Sequence, residues 1–180
     1  MLNTIPNRIT IARLLSVPLL MYLILSDSNI GRILAVILFF LAAVSDAVDG
    51  YIARSLNQTS VFGQFADPIA DKLLISGALI ALVQLGELSA AAVMALIARE
   101  FLVTGLRIVA IHEGQIIDAS ILGKIKTISH VILVLVVLAA RTFSLGPAGG
   151  IAKTVALILA IAMSLISGAE YFYRLRRLFV

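Results

Sequence analysis

The chain is 180 residues long, 61% hydrophobic and only 13% charged, with a formal net charge of +4. A soluble domain carries about 25% charged residues, so this composition excludes water as the main solvent and points to a membrane. With no cysteine in the chain, disulfides, thiolate metal sites and thiol nucleophiles are excluded as well, and any metal must sit on oxygen or imidazole.

Apolar stretches run from about Ile9 to Leu25, Ile33 to Ile52, Phe65 to Leu85, Ala90 to Val109, Ile121 to Ala140 and Ile151 to Tyr173. Each approaches the roughly 20 residues that cross a bilayer as a helix, the form in which one segment satisfies its own backbone in lipid. The predicted fold is all-α, an integral membrane bundle of six transmembrane helices forming a single domain over 1–180. Pro6-Asn7-Arg8, ahead of the first stretch, predicts a short N-terminal interfacial segment. The N-terminus lacks the pattern of a removable signal peptide, so the first span is expected in the mature protein. Turn residues separate the spans at Ser26 to Asn29, Leu56 to Ser60, Gly86-Glu87, His112 to Gly114 and Gly146 to Gly150. Of the 14 Lys and Arg residues, Arg32, Arg141 and Lys153 fall on one side of such a bundle and all the others on the opposite side. That asymmetry places both termini in the cytoplasm, with the Arg174-to-Arg177 cluster as an anchor that also fits anionic lipid.

Four of the ten acidic residues fall between Asp46 and Asp71. Asp46 and Asp49 are three apart, Asp67 and Asp71 four apart, so each pair is predicted to share one face of its own helix. Counted from Arg32, Asp46 lies roughly 21 Å into a core about 30 Å thick, towards the cytoplasmic end, and Asp67 and Asp71 enter from that same end. A purely structural role is a poor account of them. A carboxylate at a helix centre costs about 2.5–3.5 kcal/mol on insertion scales, less near the interface, and packing does not repay it. Clustered hard oxygens call for cations and suit Mg²⁺ or Mn²⁺, with Ca²⁺ also compatible. Two such ions clamp a transferring phosphoryl group between attacking and leaving oxygens. Gly50 and Gly63 leave room for close approach, and Arg54 offers a bidentate partner for phosphate.

The pattern Asp-x2-Asp-Gly-x2-Ala-Arg-x8-Gly-x3-Asp-x3-Asp, complete from Asp46 to Asp71, resembles the signature of the CDP-alcohol phosphotransferases. The resemblance implies six transmembrane helices, a homodimer, and a site of two Mg²⁺ or Mn²⁺ ions holding a CDP diphosphate. It implies that Asp46, Asp49 and Asp67 are metal ligands and that Asp71 is both ligand and catalytic general base. Gly50, Arg54 and Gly63 would contact CDP, and Asn7 and Thr10 the cytidine, although capping of the first helix is an equal reading for those two. Ile5 to Thr10 with Arg13, Ala66 to Lys72, Ala98 to Arg107 and Gly123 to Thr127 resemble a bacterial branch of that family. This wider likeness implies CDP-diacylglycerol and glycerol 3-phosphate as substrates, phosphatidylglycerophosphate and CMP as products, and the inner (cytoplasmic) membrane as the location.

A phosphorylated acceptor needs cations besides the metals, and Arg99, Arg107, Lys124 and Lys126 are the candidates for its phosphate. The alternatives are an ion pair of Arg99 with a neighbouring Glu100, a pair of Arg107 with Glu100 seven residues away, and simple anchoring for the lysines. His112 reads as a loop residue and His130 as a hydrogen-bonded core residue; Phe39 and Phe40 read as packing or lipid-facing. Within the same class, another acceptor would make the chain a cardiolipin, phosphatidylserine or phosphatidylinositol-phosphate synthase. An Asp-rich membrane prenyltransferase needs a longer chain, and a divalent-cation transporter fits badly with carboxylates gathered at one end. Nothing in the sequence points to nucleic acid.

Overall fold

The computed structural model describes residues 5–55, 61–113 and 120–176; within the helices, the side chains of 5–10, 46–55, 61–68, 71 and 111 lie outside that description. Six helices follow one another: α1 (Ile5–Leu25), α2 (Asn29–Ser55), α3 (Val61–Gln84), α4 (Ala90–His112), α5 (Ile121–Thr142) and α6 (Gly146–Arg174). No strand occurs among the described residues. The all-α prediction is met, and by length and composition α5 and α6 are apolar enough to cross a membrane. Shorter apolar runs occupy Ile11–Leu25, Asn29–Ser45 and Lys72–Gln84.

Several boundaries differ from the sequence expectation, because polar residues end an apolar stretch without ending a helix. Pro6-Asn7-Arg8 belong to α1, which is one continuous helix from Ile5, so a separate interfacial segment is not what these residues form. Proline is tolerated in a first turn, where its missing N–H would have no partner anyway. For the same reason Gly146 to Gly150 form the opening turn of α6, with a proline at its start, instead of a loop. His112 closes α4 as an exposed residue instead of lying in a loop. The expected turn at 56–60 lies outside the described residues. Two starts are capped by serine: Ser28 Oγ accepts from Gly31 N at 2.9 Å, and Ser120 Oγ from Gly123 N at 2.9 Å.

Among the described residues the helices close a ring, each packing on the next in the order α2, α1, α3, α4, α6, α5 and back to α2, with α3 also touching α5 across the middle. Leu20, Ile24, Phe39, Leu74, Leu82, Leu133 and Val137 fill the centre, all at most 1% exposed. The outside is apolar too: Tyr22 is 72% exposed, Phe101 67%, Ile151 67% and Ile121 75%. A soluble surface does not carry so continuous an apolar coat, whereas lipid solvates it without penalty. Phe39 and Phe40 divide these roles, the first fully buried and the second half exposed.

Bonds at one end hold the short connections together. Arg141 of α5 donates to the Ile24 carbonyl at the end of α1 and sits 3.9 Å from Asp27. Arg32 donates to the Asp27 carbonyl at 3.2 Å, and Lys153 of α6 meets Glu87 between α3 and α4 at 2.6 Å. Thus the three cations assigned to one side by sequence do share one end of the bundle.

Where α1 crosses α3, Gly77 lets the backbones close: an added Cβ would stand 2.9 Å from Val17 Cγ1 and 3.4 Å from Met21 Sδ. Gly77→Ala is expected to lower thermal stability in detergent, since the β-branched Val17 is held in one rotamer inside α1 and must give way. Gly77→Leu should lower it by about 1–3 kcal/mol, because overpacking must push the helices away from each other. Melting curves followed by size-exclusion profile read both, and equal stability of wild type and Gly77→Leu would contradict the tight crossing.

Candidate active site

The acidic motif falls on two uninterrupted helices. Asp46 and Asp49 occupy positions in the second half of α2, Asp67 and Asp71 positions in the first half of α3, and their side chains lie outside the described residues. Both helices reach these positions at the end opposite the Arg141 and Lys153 contacts. Continuous helix keeps residues three and four apart on a shared face, as the spacing argument requires. The donor set is carboxylate oxygen alone, which fits a hard divalent cation. Gly50, Arg54, Gly63, Asn7 and Thr10 sit on helical backbone with undescribed side chains. Asn7 and Thr10 lie inside α1, beyond its first residue, so neither occupies the N-cap position that capping would need.

The described part of the site is a polar cluster on α3, α4, α5 and α6. Glu100 is its hub: Oε1 receives Arg99 Nη1 at 3.1 Å and also Lys126 Nζ. Arg99 continues to α6, where Nε donates to the Ser164 carbonyl at 3.0 Å and Nη2 to Ser167 Oγ at 2.7 Å. Arg99 runs alongside α6 at Gly168, where an added Cβ would be 3.5 Å from Arg99 Nε, an ordinary van der Waals contact. On α3, Lys72 Nζ donates to Thr104 Oγ1 at 2.7 Å, and that hydroxyl bonds back to the Glu100 carbonyl at 2.7 Å. Among the described residues Lys72, Arg99 and Lys126 gather around the one carboxylate of Glu100, a concentration of cationic donors in a low-dielectric setting.

Between α3, α4 and α5 this cluster borders a cleft. Lys72, Ile75, Ser76 and Leu79 line it from α3, Leu96, Ile97 and Glu100 from α4, and Lys126, Thr127 and His130 from α5. It opens there because, among the described residues, α4 and α5 do not pack directly along their lengths. The Glu100–Lys126 pair bridges them instead. Lys72, a described lining residue of α3, directly follows Asp71 in the chain, so the cleft adjoins the acidic motif.

Of the four predicted phosphate-binding cations, Arg99 and Lys126 are brought together through Glu100. Arg107 is not: it lies about two turns along α4, its Nη2 donating to Tyr171 Oη at 2.6 Å and its guanidinium 5.6 Å from the centre of that ring. The proposed Arg107–Glu100 pair is therefore replaced by Arg107–Tyr171. Lys124 is exposed at the start of α5. His130 is buried as expected, but its Nε2 has no hydrogen-bond partner among the described residues.

A family model described as CDP-alcohol phosphatidyltransferase matches residues 3–172. The chain is 41% identical over 180 residues, covering 93% of each protein, to the CDP-diacylglycerol--glycerol-3-phosphate 3-phosphatidyltransferase of Bacillus subtilis (strain 168). It is 35% identical over 181 residues, covering 98% of each, to the protein of that name from Rickettsia bellii (strain RML369-C). A probable phosphatidylglycerophosphate synthase of Mycobacterium tuberculosis (strain ATCC 25618 / H37Rv) is 35% identical, with 95% of this chain and 81% of that protein covered.

Sequence reasoning missed Ser164, Ser167 and Tyr171 as partners of the arginines. The signal was present: they recur at three and four residues along the C-terminal half of α6, a polar stripe on one helix face. Glu100→Gln removes the charge that Arg99 and Lys126 share. Removing one partner from a largely buried pair costs up to about 3 kcal/mol. A clearly lowered melting temperature in detergent is expected, while Glu113→Gln, at an exposed helix end, should change little.

Proposed function

We propose, from the premise that this chain belongs to the CDP-alcohol phosphatidyltransferase family, that it transfers a phosphatidyl group from CDP-diacylglycerol to glycerol 3-phosphate. The products are phosphatidylglycerophosphate and CMP, and the enzyme serves phospholipid biosynthesis. The observation that carries this reading is near-full-length likeness to relatives bearing that activity in their names. The positive cleft beside the acidic motif supports it, because an acceptor that is itself a phosphate monoester needs such a place.

In this reading all six helices span the inner membrane of the cell, with both termini and the acidic motif at the cytoplasmic side and two chains forming a dimer. The acyl chains of the donor stay in the bilayer and the cytidine faces the cytoplasm. Asp46, Asp49, Asp67 and Asp71 would hold two Mg²⁺ or Mn²⁺ ions, whose chemistry is to neutralise the diphosphate and the charge that develops on the leaving CMP. Gly50, Arg54 and Gly63 receive the CDP diphosphate, and Asn7 and Thr10 the cytidine. Asp71 takes the proton of the acceptor's primary hydroxyl as that oxygen bonds to the phosphorus bearing diacylglycerol. The bond from that phosphorus to the bridging oxygen breaks, and its electron pair leaves with CMP. Lys126 meets the acceptor phosphate in the cleft. Arg99 stands behind it, adding positive potential while tying α4 to α6, and Arg107 and Lys124 lie on the approach.

The test is CMP release by purified protein from CDP-diacylglycerol with a panel of acceptors. Glycerol 3-phosphate is expected to outperform serine, inositol phosphate and phosphatidylglycerol. Chelation should stop the reaction, and Mg²⁺ or Mn²⁺ should restore it. Asp71→Asn should reduce turnover by about 10²-fold or more with an unchanged size-exclusion profile. Absence of CMP release with every acceptor would overturn the reaction, and full activity of Asp71→Asn would overturn the role of that residue.

A further inference from the structure

His130 is 2% exposed, lines the cleft, and keeps Nε2 without a hydrogen-bond partner among the described residues. An orphaned buried nitrogen is costly unless a water or ligand satisfies it. Ser164 Oγ is also buried and unpartnered, but it lies behind Arg99 and outside the cleft lining, so nothing aims it at a ligand. His130 has company suited to recognition. Lys126 precedes it by one turn of α5, Thr127 and Ser76 offer hydroxyls, and Lys72 and Glu100 complete the polar wall.

We infer that His130 is a specificity-determining residue, whose Nε2 hydrogen-bonds the secondary hydroxyl of a three-carbon diol monophosphate acceptor. This rests on the proposed reaction and adds to it a group that reads the acceptor's carbon skeleton, distinct from those attracting its phosphate. The division follows from donor and acceptor chemistry. A phosphate oxygen only accepts, and the ammonium and guanidinium groups around Glu100 supply donors for it. A neutral imidazole presents one N–H and one bare nitrogen, so whichever of the two Nε2 is, a hydroxyl can pair with it, because a hydroxyl both donates and accepts. A site built around a substrate hydroxyl rejects an analogue lacking it more sharply than an apolar pocket does, because the buried partner is then stranded.

The experiment compares wild type, His130→Phe and His130→Gln, each with glycerol 3-phosphate and with 3-hydroxypropyl phosphate, which keeps the primary hydroxyl and the phosphate but lacks the secondary hydroxyl. Wild type should show a KM for the analogue about tenfold or more above that for glycerol 3-phosphate, the worth of one hydrogen bond. His130→Phe should raise the glycerol 3-phosphate KM by a similar factor, leave the KM for CDP-diacylglycerol unchanged, and make the two acceptors nearly equal. His130→Gln, which carries an amide to a similar distance, should recover some of the discrimination. Wild-type inactivity with glycerol 3-phosphate would count against the proposed reaction itself. If wild type is active and His130→Phe still discriminates as well as wild type does, the inference is overturned and Nε2 serves only a structural water. A His130→Phe protein that loses affinity equally for both acceptors and for CDP-diacylglycerol would overturn it too, in favour of a packing role.

Discussion

One oxygen of Glu100 receives both Arg99 and Lys126, and much of the polar half of the bundle depends on that shared acceptor. Three helices meet through it: α4 supplies the carboxylate and the guanidinium, α5 the ammonium, and α6 the carbonyl and hydroxyl that Arg99 also engages. In an apolar surrounding a lone charge is costly and a hydrogen-bonded pair is tolerated. These side chains therefore hold α4 and α5 at a distance that backbone packing does not set. Had apolar side chains interlocked there, no cleft would separate the two helices. A charge pair spans the gap and leaves the space beside it polar.

The two ends of the bundle divide their labour along similar lines. At one end Arg141 bonds to the last turn of α1 and pairs with Asp27, Arg32 bonds to the Asp27 carbonyl and Lys153 to Glu87, and the connections from α1 to α2, α3 to α4 and α5 to α6 are short. Every cation there has a loop partner, which fixes the connections and leaves little free charge for a ligand. At the other end cations outnumber carboxylates in the described cluster, and the acidic motif stands on the adjoining turns of α2 and α3. The first arrangement stabilises the fold, while the second brings cationic and acidic groups together at one end of the bundle.

How much of this was legible in the sequence depends on whether a feature is local. Helix number and type followed from apolar length, and the shared faces of Asp46 with Asp49 and of Asp67 with Asp71 from spacing. Helix ends did not: Asn7 and Arg8 end an apolar run, yet α1 passes through them, because a polar residue changes solvation without breaking backbone hydrogen bonds. Side-chain partners were the least legible. Spacing along α4 pairs Glu100 with Arg107, but ring order puts α6 beside α4, and Tyr171 takes Arg107 instead. No local pattern encodes that α4 neighbours α6 rather than α5. The polar stripe Ser164, Ser167 and Tyr171 was the one clue that α6 had a polar neighbour to serve.

Ring order also bears on why α3 is the helix on which, in the proposed reaction, both substrates would converge. It packs on α1 and α4 and reaches across to α5, and it both carries Asp67 and Asp71 and lines the cleft. Along a single turn it passes from the position of Asp71 to Lys72, Ile75 and Ser76, from the motif assigned to the nucleotide-lipid donor to the wall of the cleft assigned to the acceptor. A transfer between two phosphates of like charge requires each to be neutralised by a different set of groups, held close and in fixed relation. Continuous helix provides that relation. The positions of Asp67 and Asp71 and the cleft-lining residues of α3 cannot shift in register against one another, so in the proposed reaction α3 would fix the separation of donor and acceptor, and the Glu100 junction need only keep the cleft open beside it.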